Sequence, residues 1–129
     1  VREWAEKEVK PHITPYVEEA KFPLPLLEKL KSLNIFEHFL NAPYGKAMSH
    51  TGIGAVLAEF ARVDAGFGIA VLLQWVLTLY TIETLSSEEQ KAKYIPRLKS
   101  LDMIGGWALT EEKIGSDATN IQTTITPTA

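Results

Sequence analysis

The chain has 129 residues, of which 46% are hydrophobic and 22% charged, so it contains enough apolar material for one domain with a buried core. Its 13 basic and 16 acidic residues are spread along the sequence, and the net charge of -3 offers no basic surface for nucleic acid. The absence of cysteine excludes disulfides, thiolate metal sites and a cysteine nucleophile.

The first third of the chain is predicted to be helical. Apolar residues recur at helical spacing through residues 1 to 20, and this pattern is typical of an amphipathic helix. Pro11 and Pro15 are expected to kink or divide that helix. Leucines over residues 26 to 33 predict a short second helix, and Asn34 is placed to take the left-handed position at its carboxyl end.

Longer helices are predicted in the middle of the chain, after a loop through residues 43 to 45. The apolar stripe of residues 53 to 63 predicts a third helix, which residues 64 to 68 should break. The 16-residue apolar run from Phe67 to Ile82 predicts a fourth, central helix that extends to about Leu85 and is buried on all sides. Crossing a bilayer takes about 20 apolar residues, so no membrane span is expected.

A fifth helix is predicted from a capping box in which Ser86 or Ser87 precedes Glu89 or Gln90 by three residues. Pro96 is expected to cut this helix in two.

The pattern changes after the fifth helix. The apolar residues 103 to 109 read as a strand, and residues 121 to 126 alternate with β-branched residues, which predicts a second strand. An isolated pair of strands is marginal in water, so we expect a β-domain to continue past the last residue.

Four sequence words in this order and spacing resemble the acyl-CoA dehydrogenase and oxidase family. They are Phe60-Ala-Arg-Val-Asp64, Ser87-Glu-Glu-Gln-Lys-Ala-Lys-Tyr-Ile-Pro96, Ala108-Leu-Thr-Glu111 and Gly115-Ser-Asp117. Glutaryl-CoA dehydrogenases and short-chain plant-type acyl-CoA oxidases look like the most similar members.

The resemblance implies a mainly α fold, in which the family's amino-terminal helical bundle leads into the first strands of its middle β-domain. Residues 1–101 would form the all-helical domain, and residues 102–129 the truncated start of the β-barrel-like domain.

The resemblance also implies an FAD-dependent enzyme that removes hydrogens from the α and β carbons of an acyl-CoA thioester. The backbone at Trp107 and Leu109, with the backbone and hydroxyl of Thr110, would hold the isoalloxazine ring. Gly115 and Ser116 would lie near the flavin diphosphate, and Ser116 also near the CoA thioester. The family's proton-abstracting Glu lies in a later region, so no catalytic residue is expected in this chain, and the chain alone should be inactive.

Substrate class follows from two positions in the central helix. Where glutaryl-CoA dehydrogenases carry an Arg and a Ser for the distal carboxylate, this chain has Gly68 and Leu72, so a neutral acyl group is expected because a buried carboxylate needs a cationic partner. Trp75 is a candidate for shaping the acyl pocket, and a role as core filler is equally open.

The resemblance further implies partners and a location. Electrons would pass to an electron-transfer flavoprotein, or to oxygen in an oxidase, and the full-length protein would be a dimer or tetramer. The mitochondrial matrix is the expected compartment, with the peroxisome as the alternative. A competing hypothesis is a non-catalytic helical module that offers exposed apolar surface to a partner.

Other polar residues favour structural roles. His12, His38 and His50 are scattered without metal-ligand spacing, so no metal site is expected. Asp64 is expected either to pair with Arg62 or to cap the following helix.

Overall fold

The computed structural model describes residues 1–126, and the part described is helical. The predicted mainly α architecture is confirmed. The helices are α1 (Arg2–Glu8), α2 (Thr14–Glu18), α3 (Leu24–Lys29), α4 (Ile35–Phe39), α5 (His50–Val63), α6 (Ala65–Leu73), α7 (Tyr80–Leu85) and α8 (Glu88–Lys99). Short 3₁₀ turns cover Leu30–Leu33 and Ala118–Asn120, and Gln74–Leu79 forms a π-helix.

The amino-terminal helices follow the sequence pattern with one addition. The first predicted helix is divided, as expected, by the segment between Glu8 and Thr14 that contains Pro11. Asn34 adopts the left-handed conformation predicted for it, with a φ of 45°. The sequence analysis did not predict α4, a five-residue helix held by its buried Ile35, Phe36 and Phe39.

α5 and α6 meet at a sharp break that two side-chain caps define. Ser49 accepts a hydrogen bond from the Gly52 backbone N–H at the start of α5. Asp64 Oδ1 accepts one from the Phe67 N–H at 2.7 Å, so this residue caps α6. Arg62 instead forms ion pairs with Glu59 in its own helix and with Glu6, and the pair with Glu6 ties α1 to α5.

An aromatic cluster fills the interface of α1, α5 and α6. The rings of Trp4 and Phe60 meet edge to face with their centroids 6.1 Å apart, and Phe67 lies 5.7 Å from Phe60. Phe60 and Phe67 are almost fully buried. Such pairs add to the hydrophobic stabilisation that burial alone provides.

α6, the π-helix and α7 form one continuous helical stretch from Ala65 to Leu85, which we call the central helix. It has 21 residues and ends at Leu85, as predicted, and with a mean hydropathy of 1.7 it is long and apolar enough to cross a membrane by length and composition alone. The prediction that it is buried on all sides is wrong. Only 39% of its most apolar window is buried, and Ile69 and Leu85 are 53% and 80% exposed because no described residue covers that face.

α8 begins at the predicted capping box, formed by Ser87 and Gln90. The prediction that Pro96 cuts this helix is wrong, because α8 continues through Pro96 to Lys99. A proline removes one backbone hydrogen bond, and here it lies near the end of the helix, where few bonds follow. Ile95 and Leu98 on either side of it are buried in the core and hold the last turn in place.

The two segments predicted as strands, 103–109 and 121–126, form no paired strand within residues 1–126. A strand is stabilised by a hydrogen-bonded neighbour, and these two segments do not pair with each other. Both run as irregular chain.

Candidate functional site

The segment that carries the family-like words leaves the bundle at the end of α8. Leu101 turns the chain with a φ of 59°, and the Met103 N–H donates to the Arg97 carbonyl at 3.1 Å. The chain then passes back over the central helix.

A single buried glutamine fixes this passage. Gln74 is 3% exposed, and its Nε2 donates to the carbonyls of Leu98 at 3.1 Å and Met103 at 3.3 Å. Its Oε1 accepts from the Gly105 N–H at 3.0 Å. One side chain therefore joins the central helix, the end of α8 and the outgoing segment. The sequence analysis did not assign Gln74 a role, although a lone amide within an apolar run was the available signal, because a buried polar group requires partners.

Gly105 packs directly on Thr78, one turn further along the π-helix. A Cβ added at Gly105 would collide with Thr78 Cγ2 and lie 2.5 Å from its Oγ1. Thr78 is itself buried, with 8% exposure. Glycine is therefore required here by close approach.

The next residues, 106 to 110, are presented to solvent with free backbone groups. Trp107 and Leu109 are 46% and 39% exposed, and Thr110 is also exposed. Within residues 1–126, the backbone N–H groups of 106 to 110 donate no hydrogen bond. This run can therefore bond a planar ligand with hydrogen-bonding edges, or a neighbouring strand.

Glu111 organises the loop that follows. Its backbone N–H donates to the Ile114 carbonyl at 2.9 Å and its carbonyl accepts from Ile114, which closes a turn. Its carboxylate accepts from the N–H groups of Gln122 at 2.9 Å and Thr123 at 2.7 Å. Hydrogen bonds from Thr123, and then from Gln122, hold the pKa of Glu111 below its usual value. This carboxylate therefore tethers the segment at Gln122 and Thr123 to the loop.

Gly115 and Ser116 lie exposed at the end of that loop. No described atom comes within 4 Å of a Cβ built at Gly115, so the space beside its backbone is open. Asp117 ends the loop, because its carboxylate accepts from Thr119 Oγ1 at 3.1 Å and Asn120 Nδ2 at 2.6 Å. Ser116 therefore precedes a fixed turn.

Trp75 lies on another side of the central helix. Its ring packs against Phe39 at 5.5 Å and lies 6.2 Å from both His50 and Tyr80. Its Nε1 is buried and has no hydrogen-bond partner in the part of the chain described. The Trp75 ring is therefore packed among neighbouring rings. Trp75 is also next in sequence to Gln74, which fixes the outgoing segment.

Gly68 and Leu72 lie in an apolar groove of about 360 Å³ between α5 and α6. Every side chain that lines it is uncharged, and the set comprises Gly54, Leu57, Ala58, Ala61, Ala65, Gly68, Ile69 and Leu72. A Cβ at Gly68 would lie 2.9 Å from the Ala61 backbone nitrogen, so the two helices leave no room there for a longer side chain. No group of three or more His, Asp or Glu side chains within residues 1–126 is placed to hold a metal ion.

Comparison with known proteins identifies the bundle. Residues 1–102 match the family described as "Acyl-CoA dehydrogenase, N-terminal domain". The chain is 33% identical over 126 residues to an acyl-CoA dehydrogenase of Bacillus subtilis, and 28% identical over 128 residues to a glutaryl-CoA dehydrogenase of Desulfococcus multivorans. Each alignment covers 96% of this chain and 33% of the relative.

The fold gives the same answer. The structure aligns with the crystal structure of glutaryl-CoA dehydrogenase from Mycobacterium smegmatis with a TM-score of 0.86 and 30% sequence identity. The match covers 95% of this chain and 32% of that one. The chain therefore spans about one third of the length of these relatives.

Proposed function

The chain belongs to the acyl-CoA dehydrogenase family through its amino-terminal domain, and we propose that it is the flavin-facing amino-terminal part of an FAD-dependent enzyme that dehydrogenates a neutral acyl-CoA thioester. The observation that carries this proposal is the exposed run 106–110. Its N–H groups are free within the described chain, and its starting point is fixed to the central helix.

The residues of this run have defined tasks in the proposed reaction. FAD, when bound, supplies the acceptor for the hydride that leaves the β-carbon of the thioester. The backbone of Trp107 and Leu109 and the hydroxyl of Thr110 would bond the edge of the ring system. Donors already in place stabilise the negative charge that develops during such a transfer, because they need no reorganisation at that moment.

Gly115 and Ser116 would receive the diphosphate and the thioester end of CoA. Open space beside the Gly115 backbone supports a close approach, and the hydrogen bonds that the Asp117 carboxylate accepts from Thr119 and Asn120 support a fixed loop geometry. We propose that the base that removes the α-proton is supplied outside this chain, so that the chain alone is inactive.

A neutral substrate is supported by the groove between α5 and α6. Its lining has no charged side chain, and Gly68 is packed too tightly against Ala61 to be replaced by a cation without displacing α5. A dicarboxylic acyl group would leave an unpaired carboxylate, which is costly in an apolar site. Trp75, whose ring packs against Phe39, would form one wall of the acyl pocket.

The test is to express the full-length protein that carries this chain and to compare its turnover of butyryl-CoA and hexanoyl-CoA with that of glutaryl-CoA. The proposal predicts a yellow protein that turns over the neutral thioesters faster. Faster turnover of glutaryl-CoA would overturn the substrate class, and a protein that binds no flavin would overturn the proposed function itself. Running the assay with an electron-transfer flavoprotein and with oxygen identifies the acceptor.

The exposed face of the central helix supports a second candidate. Ile69, Leu73 and Leu85 leave bare apolar surface that a non-catalytic module could offer to a partner. In the proposed enzyme, the same face is covered by the rest of the protein and the subunits of a dimer or tetramer. A colourless, stable oligomer of the full-length protein would favour the module.

A further inference from the structure

The one buried amide of the central helix links two parts of the proposed site. Gln74 is next in sequence to Trp75, which packs against Phe39, yet the Gln74 side chain bonds the segment that leads into residues 106–110. Two hydrogen bonds of this side chain, at 3.0 and 3.3 Å, hold that segment, and a third at 3.1 Å joins it to the end of α8.

The anchor is backed by packing. Gly105 rests on Thr78, and Ile104 and Gly105 close a cavity of about 170 Å³ over the central helix with Phe22, Leu27 and Leu73. Gln74 and Thr78, which both contact Gly105, belong to the π-helix and are both buried. π-helical segments interrupt regular helices at a cost and are frequent at functional positions.

We propose that Gln74 is a positioning residue that sets where the flavin-contacting run begins, and that it ties this run to the helix that bears Trp75. This inference rests on the proposed function for its consequence in FAD binding. The anchor itself is a property of the described chain. A shift of the Gly105 amide would carry residues 106–110 with it, since nothing else in residues 1–126 bonds their backbone N–H groups.

Two variants detach the segment from opposite sides. Gln74→Met keeps the length and burial of the side chain and removes all three hydrogen bonds. Gly105→Ala keeps the glutamine and forces the segment off Thr78. Gly106→Ala is the matched control, because no described atom lies within 4 Å of a Cβ at that position.

The first measurement is amide hydrogen exchange by NMR on this chain. Gln74→Met is expected to speed exchange at Gly105 by roughly 5- to 30-fold, the effect of losing one or two hydrogen bonds. Gly105→Ala is expected to shift the Trp107 resonances in the same direction as Gln74→Met does. Gly106→Ala is expected to leave the exchange rate at Gly105 unchanged. Val71→Ala, a core change on the same helix that removes no hydrogen bond, controls for general loss of stability. Exchange at Gly105 that rises equally in Val71→Ala and Gln74→Met would overturn the anchor.

The second measurement is FAD affinity and the flavin absorbance spectrum of the full-length protein. The proposal predicts FAD binding about tenfold weaker in Gln74→Met with a changed spectrum, because small displacements of positioned groups cost heavily. The exposed Thr84, whose hydroxyl bonds only within its own helix, provides the Thr84→Val control. Unchanged affinity and spectrum in a yellow Gln74→Met protein would refute the positioning role and leave the proposed function standing. A colourless parent protein would refute the proposed function and leave the anchor standing.

Discussion

Two glycines in the same groove should respond in opposite ways to the same substitution. Gly54 in α5 is exposed, and no atom lies within 4 Å of a Cβ built on it. Gly68 in α6 is buried, and a Cβ there meets the backbone nitrogen of Ala61 at 2.9 Å and its Cα at 3.0 Å. Gly54→Ala should therefore stabilise the domain, and Gly68→Ala should destabilise it.

The magnitudes follow from two effects. Replacing glycine by alanine inside a helix gains about 0.5 to 1 kcal/mol, and this gain applies at both positions. Overpacking a close contact costs about 1 to 3 kcal/mol, and this cost applies only at Gly68 because backbone atoms cannot rotate away. The helix gain cancels between the two variants, so their free energies of unfolding should differ by about 1 to 3 kcal/mol.

Urea unfolding followed by circular dichroism measures this difference. At about 2 to 8 °C per kcal/mol, thermal unfolding should separate the two melting temperatures by several degrees. Equal stabilisation of both variants would refute the close packing of α5 on α6. It would also remove the structural reason for which we exclude a cationic side chain at position 68.

Three further predictions concern the bundle and the loop. Hydrogen bonds from Arg2, and then from Arg62, lower the pKa of Glu59 to about 2, so the contribution of Glu59 to stability should be present above about pH 4.5 and disappear as the pH falls to about 2. Unfolding of the parent and of Glu59→Gln at several pH values should show the difference between their free energies of unfolding closing over that range, and a constant difference would contradict the prediction. Ser87→Ala should cost about 0.5 to 2 kcal/mol by removing the capping box of α8, measured against Ser86→Ala, and equal melting temperatures would count against the cap. Glu111→Gln should speed amide exchange at Gln122 and Thr123, with Glu112→Gln as its control, and no acceleration would disprove the tether.

Helix ends that are set by a few adjacent residues could be predicted from sequence. The Ser87 capping box, the left-handed Asn34 and the Asp64 cap depend on a few adjacent residues, and the structure has each of them. The predicted break at Pro96 is wrong because a proline near the end of a helix removes only one late backbone hydrogen bond. Its buried neighbours, Ile95 and Leu98, keep the last turn helical. α4 was missed because one turn is too short for a periodic signal.

The site was only partly accessible to sequence reasoning. The exposed position of Trp107, Leu109 and Thr110 agrees with a ligand-facing run, but their roles stay predictions. Strands were predicted from composition, although a strand requires a partner, and the described chain provides none. The lone amide of Gln74 in an apolar run signals a need for partners, but its partners could not be assigned because its three hydrogen bonds join residues 24 to 31 positions away, a relation that no local pattern contains.

The most direct test of the central claim is the flavin of the full-length protein before and after Thr110→Val. The parent protein should bind FAD and be yellow. The variant, which keeps its shape and loses one hydroxyl, should bind FAD about two- to tenfold more weakly and show a shifted flavin absorbance. Thr84→Val, at an exposed residue whose hydroxyl bonds only within its own helix, should leave the spectrum unchanged. A colourless parent, or a Thr110→Val protein with the parent's spectrum and affinity, would contradict the claim that this run holds the ring.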